Sequence, residues 1–265
     1  MDYRWQWHII PQYLIRFDPE HQHWVPNLLL QGLFTTFRLS VWATILAIGI
    51  GSIMGLFSVS GRLFFRLVSR SYVELIRNLP PLVLIFIFYY FISDQVLSHL
   101  GIDAWARSTP DTLQHWIWFL SAPPQHLATF ISAVMTLALF EGAYITEIIR
   151  AGIESVAQGQ REAAYAQGLT RRQTMRHIIL PQALPQILPP LAGQLISTIK
   201  DSAIVSVISI QELTFQGLEL MSATYLIFEI WITITVMYLV LTLSCSLAVQ
   251  YVEGVVKRRY GHQSR

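Results

Sequence analysis

The chain has 265 residues, of which 53% are hydrophobic and only 13% are charged. Soluble domains carry about a quarter of their residues as charges, so this balance excludes an ordinary soluble protein and indicates one that lies in lipid. The formal net charge of +2 is too small to indicate nucleic acid as a partner. The one cysteine, Cys245, cannot form an internal disulfide, and we expect a buried free thiol.

The first 27 residues contain three prolines and several aromatic residues, but they lack the charged-then-apolar order of a cleavable signal peptide. We therefore expect segment 1–27 to lie outside the membrane or at its surface. The first membrane span would then act as an uncleaved insertion signal. Residues 28–265 are expected to form the membrane domain.

Five apolar segments are long enough to cross a bilayer, which takes about twenty residues because only a helix satisfies its own backbone groups in hydrocarbon. Two of the five are interrupted by prolines, and we expect breaks there. The second opens on Pro80 and Pro81, and the fourth contains Pro189 and Pro190. The predicted fold class is an all-α membrane protein with about five transmembrane helices. The segments are Leu28–Val59, Leu79–Leu97, Leu127–Ile149, Ile187–Ile210 and Leu226–Val249.

Arginine and lysine are concentrated in every second loop between these segments. Because cytoplasmic loops carry the excess of these residues, the pattern predicts an external N-terminus, a cytoplasmic loop 150–185 and a cytoplasmic C-terminus. On the predicted cytoplasmic side are Arg62, Arg66, Arg70, Arg77, Arg150, Arg161, Arg171, Arg172, Arg176, Lys257, Arg258, Arg259 and Arg265. On the other side are only Arg4, Arg16 and Arg107.

The external loop 93–126 contains Trp116, Trp118 and Phe119. This aromatic run fits either a short helix at the level of the lipid headgroups or an ordinary loop with interfacial tryptophans.

The loop 150–185 has the signals of two short helices joined by a turn. Gly168 can take the left-handed conformation that ends the first helix. Thr170, with Gln173 three residues later, is a capping-box pattern that starts the second. Three prolines should limit how far the second helix continues. They are Pro181, Pro185 and Pro189.

Seven residues of this loop match, in type and spacing, the EAA motif of ABC importer permeases. They are Glu162, Ala163, Ala164, Gly168, Ile178, Leu180 and Pro181. The flanking sequences GAYITEIIRAGI at 142–153 and IKDSAIVSVISIQEL at 199–213 resemble the polar amino acid subgroup of these permeases. The chain departs from that subgroup at Gln194, near which the family commonly has asparagine.

The resemblance implies a type I ABC importer-like permease in the bacterial cytoplasmic (inner) membrane, with the seven motif residues coupling to a cytoplasmic ATP-binding subunit. It also implies an external or periplasmic solute-binding protein and a second permease subunit, identical or related. Neither of the two lysines follows a glycine, so the chain has no P-loop and ATP hydrolysis is expected in the partner subunit. No cofactor or metal is implied.

Ionisable side chains inside a span each cost roughly 2.5 to 3.5 kcal/mol, so each needs a partner or a cavity. Glu141 lies in the third span beside Gly142 and Ala143, which allow either close packing or a passage. Lys200 and Asp201 lie near the middle of the fourth span, and we expect both in the protein interior. They could form a structural salt bridge or contact substrate. Glu141, Lys200 and Asp201 are the candidate substrate pathway, because an amino acid carries both charges.

Other intramembrane charges have simpler interpretations. Arg38 either reaches the outer headgroups or touches substrate, and Glu229 is expected at the interface. Glu147, Arg150 and Glu154 have the spacing of ion pairs at a helix end.

Two other functions compete with an importer permease. An ion-coupled secondary transporter of small polar solutes would use the intramembrane carboxylates, but no internal inverted repeat is visible. A membrane hydrolase would need a catalytic or metal-binding cluster, and Glu20, His21 and His23 lack metal-site spacing.

Overall fold

The computed structural model describes residues 3, 5–19, 22–97 and 99–260. The predictions made for Arg4, Glu20, His21 and Arg265 fall outside the described residues, as do those for the side chains of Lys257, Arg258 and Arg259.

The described chain is almost entirely helical. Its helices are α1 (Ile10–Leu14), α2 (Leu28–Ser58), α3 (Leu63–Asn78), α4 (Pro81–Phe88), α5 (Ile102–Ser108), α6 (Asp111–Leu120), α7 (Leu127–Glu154), α8 (Gln158–Ala166), α9 (Arg171–Thr174), α10 (Leu180–Asp201), α11 (Leu213–Thr224) and α12 (Ile227–Tyr260). Short 3₁₀ segments cover Trp7–Ile9, Pro124–His126 and Ser202–Ile208, and π-helical segments cover Tyr89–Leu97 and Met175–Ile179. An antiparallel hairpin of β1 (Ile15–Asp18) and β2 (His23–Pro26) departs from the all-helical expectation.

Among the described residues, four helical stretches are long and apolar enough to cross a membrane, and a fifth is obtained if one bent helix pair counts as a span. This agrees with the predicted number of about five. The four are Leu28–Ser58, Pro124–Glu154, Arg171–Ile208 and Ile227–Tyr251, and the bent pair is Leu63–Asn78 with Pro81–Phe91.

Helices α2 and α7 pack closely along a line of glycines. A Cβ atom at Gly51 would lie 2.5 Å from Cγ2 of Ile145, and one at Gly55 would lie 2.7 Å from Cγ2 of Ile149. Both distances are shorter than any real contact, so glycine is what lets the two backbones approach, as small residues do in membrane helix pairs. The pair forms the centre of the fold.

The segment between the first two predicted spans, residues 60–78, is mostly helix α3. The helix packs back along α2 and α7, where Ser69 Oγ donates to the Met54 carbonyl at 2.8 Å and Tyr72 Oη to the Leu139 carbonyl at 2.6 Å. Its arginines had broken the apolar run that a span needs. The predicted break at Pro80 is confirmed, since the axis bends by 114° between α3 and the following helix.

The fourth span is not broken at its prolines, contrary to the prediction. Helix α10 runs unbroken through Pro185, Pro189 and Pro190. Pro181, Pro185 and Pro189 are spaced four apart and all three are exposed, so the lost hydrogen bonds lie along one open side of the helix. The chain tightens into a 3₁₀ segment only after Asp201.

Two further predictions concern the outer loop and the first span. The loop 93–126 contains the helices α5 and α6, and Trp116, Trp118 and Phe119 are exposed on α6. Arg38 closes the end of α6, because its guanidinium donates to the Trp118 carbonyl at 2.5 Å.

Two buried glutamates join distant parts of the chain. Glu229 is buried within the protein, where Tyr3 Oη and the Gln6 backbone amide donate to it from the N-terminal segment. Glu212 caps α11 through the amides of Thr214 and Phe215 at 2.9 and 2.7 Å. Burial raises the pKa of Glu212 to about 7.

The hydroxyls of Tyr238 on α12 and Thr36 on α2 also donate to Glu212, at 2.8 and 3.3 Å. This carboxyl therefore connects three helices. Cys245 is a free thiol as predicted, but it is half-buried rather than buried.

Candidate functional site

The predicted coupling residues divide into an inner and an outer set. Ala164 is buried, and Ile178 and Leu180 are half-buried against the apolar cluster at the end of α7. Glu162, Ala163, Gly168 and Pro181 are exposed. The first set can hold the segment on the protein body, and the second is available to another surface. We refer to residues 158–181 as the coupling segment.

Gly168 is required by the turn that ends α8. Its φ is +79°, as the sequence predicted. The amide of Leu169 donates to the Ala164 carbonyl at 3.1 Å, and that of Gly168 to the Tyr165 carbonyl at 2.9 Å. This pair of bonds is a Schellman ending, which needs a left-handed residue at the position of Gly168.

The predicted capping box at the start of α9 is also present. The backbone amide of Gln173 donates to Thr170 Oγ1 at 3.4 Å, and the backbone amide of Thr170 donates to Gln173 Oε1 at 2.9 Å. These bonds fix the path of the chain from α8 into the next helix. The turn and the capping box therefore determine the direction of α8 relative to α10.

Side-chain bonds fasten α8 to the transmembrane helices. Arg161 donates to the Ile153 carbonyl near the end of α7 at 3.0 Å, and Gln182 on α10 donates to Gln160 Oε1 at 3.4 Å. Ile179 is buried below them. These bonds tie α8 to both α7 and α10.

The second site is a polar cluster inside the membrane domain, between α7 and α10. Glu141 is 0% exposed, and Gln194 Nε2 donates to its Oε2. The other oxygen, Oε1, is buried without a hydrogen-bond partner among the described residues. The half-buried Asp201 carboxyl interacts with Glu141 from two turns beyond Gln194. Two carboxyls and an unpaired buried oxygen form a site suited to a cation.

Lys200 does not lie in this cluster. We expected both Lys200 and Asp201 in the interior, but Lys200 is exposed on the chain. Successive helical residues point about 100° apart, and here Ile199 and Ser202 occupy the buried side. No salt bridge joins Lys200 to a carboxylate among the described residues. The structural salt bridge considered for this lysine is therefore absent from that part of the chain.

The charges at the end of α7 form the predicted ion pairs. Arg150 donates to Glu147 at 2.7 Å and to Glu154 at 2.5 Å. The close packing at Gly142 is confirmed too, because a Cβ there would lie 2.8 Å from Tyr72 Oη.

Sequence reasoning missed Gln194 as a partner of Glu141. A signal was available, since Gln194 precedes Asp201 by seven residues and the two share a helix face. Glu212 was missed because it follows the last predicted residue of the fourth span, although it lies within the segment 199–213 that resembles the family.

A family model described as "Binding-protein-dependent transport system inner membrane component" matches residues 47–258. The chain is 31% identical to the probable glutamine ABC transporter permease protein GlnM of Bacillus subtilis, over 88% of this chain and 95% of the relative. It is 32% identical to the glutamine transport system permease protein GlnP of Escherichia coli, over 87% and 93%. Identity to the glutamate/aspartate import permease protein GltJ of Escherichia coli is 29%, over 97% of both chains.

Solved structures agree with these relatives. A crystal structure of an amino acid ABC transporter with histidines has a TM-score of 0.66 and 34% identity, covering 85% of this chain and 92% of that one. An inward-facing structure of the MetNI methionine ABC transporter has a TM-score of 0.61 at 17% identity, covering 86% and 96%, which shows the fold. Since the family model covers most of the chain, the protein belongs to the family of binding-protein-dependent transport system inner membrane components.

Proposed function

We propose that the chain is the permease subunit of an ATP-driven importer of polar amino acids. The observation that carries the proposal is the continuity of α10, which begins at Leu180 in the coupling segment and ends at Asp201 in the polar cluster. At 1.5 Å per residue its 22 residues span about 33 Å. One helix therefore links a surface for a partner with a site for a charged solute.

The coupling residues would act by docking. Exposed Glu162 and Ala163 present a small, charged surface on α8, while the buried Ala164 and Ile179 keep that helix attached to the body. A cytoplasmic ATP-binding subunit that moves α8 would move α7 and α10 with it. The Schellman turn keeps the transmitted motion from being lost in a flexible loop.

Glu141 and Asp201 would bind the ammonium group of the substrate. The unpaired oxygen of Glu141 offers an acceptor, and Gln194 holds the other oxygen in place. Burying a charge is costly unless an opposite charge pairs with it. An ammonium between the two carboxyls would therefore compensate the burial of all the charged groups. The relatives named for glutamine and for glutamate/aspartate support polar amino acids as the substrate class.

Lys200 supports a pair of permeases. An ammonium exposed on a span is costly in lipid, so a second permease subunit, identical or related, should cover this face. Across that interface Lys200 would reach the pathway and meet the substrate carboxylate. An external or periplasmic solute-binding protein would deliver the substrate, and a partner subunit would hydrolyse ATP.

The substrate class is tested by uptake in cells. Deleting the chain should abolish import of labelled glutamine or glutamate at low external concentration, and the restored chain should recover it. Unlabelled polar amino acids should inhibit this uptake, whereas leucine should not. Uptake that is unchanged by deletion, or inhibited by leucine as strongly as by glutamine, would contradict the substrate assignment.

We further propose that residues 1–27 lie outside and that the coupling segment faces the cytoplasm, because arginine is concentrated in and around that segment. In a Cys245→Ser background, a cysteine placed at Gln158 should resist a membrane-impermeant maleimide in intact cells. A matched cysteine at Ser108 in α5 should react. Equal labelling of the two positions would reject this orientation and the coupling role with it.

A further inference from the structure

A groove between α3 and α7 has no role in the proposed transport mechanism. It encloses about 750 Å³ and opens beside the end of α2 at Ser58. Arginines, glutamates and apolar side chains line it. Its members on α3 include Leu63, Arg66, Leu67, Arg70, Val73 and Arg77.

From the lengths of the helices around it, we place the mouth of the groove at the level of the lipid headgroups. Helix α2 has 31 residues and is about 46 Å long, whereas the hydrocarbon core is about 30 Å thick. Its ends therefore extend beyond the hydrocarbon. Helix α3 starts shortly after Ser58, so its first turns lie at the same depth as that end of α2.

The first turns of α3 have the composition of a lipid-binding helix. Leu63, Phe64 and Leu67 are 60%, 70% and 52% exposed, although they are large and apolar. Arg66 and Arg70, one turn apart, stand beside them. Exposed apolar side chains next to arginines are favourable where acyl chains meet headgroups, and unfavourable in water.

Two arginines of the groove are not fully neutralised by neighbouring carboxylates. Arg150 is neutralised by Glu147 and Glu154, and Arg70 is 3.9 Å from Glu74 in an exposed pair that contributes little. Arg66 has no salt bridge among the described residues, and the guanidinium of Arg77 lies over the Tyr144 ring, 5.5 Å from its centroid. The guanidinium groups of Arg66 and Arg70 thus remain for an anion, and the fork of each matches phosphate oxygens.

We propose that this groove is a binding site for an anionic phospholipid. The headgroup phosphate would lie between Arg66 and Arg70, and its acyl chains would run over Leu63 and Leu67. The lipid would hold α3 against α7 at the base of the bent helix pair. Free phosphate shares the headgroup chemistry but gains nothing from the apolar side chains, so the lipid is the occupant.

Native mass spectrometry of the complete transporter, purified from nanodiscs of phosphatidylglycerol or phosphatidylcholine, tests the proposal. The wild-type permease should retain phosphatidylglycerol and not phosphatidylcholine, and millimolar inorganic phosphate should not displace it. The double variant Arg66→Gln, Arg70→Gln should lose about thirty-fold in affinity, which corresponds to about 1 kcal/mol per arginine. The matched double variant Arg16→Gln, Arg107→Gln, with both changes at exposed positions on other segments, should retain the lipid.

The double variant Leu63→Ala, Leu67→Ala distinguishes a bound lipid from a bound free anion. It should weaken phosphatidylglycerol binding although both arginines are intact. Loss of the lipid to inorganic phosphate, or an unchanged affinity in this variant, would overturn the proposal. A wild-type protein that retains both lipids equally would overturn it as well, whether or not any variant folds.

Discussion

Replacing Gly168 with valine should reduce ATP-driven uptake about tenfold or more without reducing the amount of permease in the membrane. Gly168 has a φ of +79°, a conformation that costs a β-branched residue roughly 1 to 2 kcal/mol. A Cβ atom would meet nothing within 4 Å, so the effect is backbone strain and not a clash. Relief of that strain would tilt α8 away from the direction that docking needs.

Two matched variants isolate the cause. Gly101 also has a positive φ, +62°, and a Cβ atom there would likewise meet nothing within 4 Å, but Gly101 lies before α5 and far along the chain from the coupling segment. Gly101→Val should therefore carry the same strain and leave uptake intact. Gly168→Asn should restore uptake, because asparagine tolerates the left-handed region. Full uptake by Gly168→Val would contradict the coupling role of the turn.

Charge reversal at Glu162 examines the same docking surface without backbone strain. Glu162 is exposed and its side chain accepts a hydrogen bond from Gln158 at 2.8 Å, so Glu162→Lys should leave the fold unchanged. We expect less ATP-binding subunit to copurify with this variant, and uptake to fall in proportion. Normal copurification with normal uptake would remove Glu162 from the docking surface.

Neutralising Glu141 or Asp201 should raise the apparent KM for amino acid uptake about 10- to 100-fold. A hydrogen bond to a charged group contributes about 1.5 to 3 kcal/mol, and the substrate ammonium would lose one such partner. Glu141→Gln keeps the shape of the side chain and its contact with Gln194. Exposed Glu219, on α11, provides the control variant Glu219→Gln, whose KM should not change.

The double variant distinguishes substrate binding from a structural role. If both carboxyls hold the same ammonium, Glu141→Gln with Asp201→Asn should cost less than the sum of the two single changes. If the variants reduce uptake additively while the KM stays unchanged, the cluster holds the helices together and does not contact substrate.

The sequence predicted the parts of this fold that depend on local signals. The apolar runs located α2, α7 and α12, and turn chemistry located Gly168 and the Thr170 cap. Helix α3 was missed because its arginines interrupt the apolar run, although its buried side chains, such as Ser69 and Val73, repeat at helical spacing.

The same local signals could not predict helix continuity, side-chain direction or contacts between distant parts of the chain. Proline content predicted a break in α10, but whether a proline breaks a helix depends on which side it occupies. Lys200 was expected in the interior beside Asp201 but is exposed, because one residue turns a side chain by about 100°. The contact between Gln194 and Glu141 joins two helices 53 positions apart, and no local pattern encodes it.

Uptake by proteoliposomes containing the purified transporter tests the central claim most directly. With the solute-binding protein on the substrate side, labelled glutamine should accumulate only when ATP is present on the side of the coupling segment. Proton and sodium gradients alone should give no accumulation. Accumulation driven by either gradient without ATP would contradict the account, because it would make this chain an ion-coupled transporter whose intramembrane carboxylates carry the coupling ion.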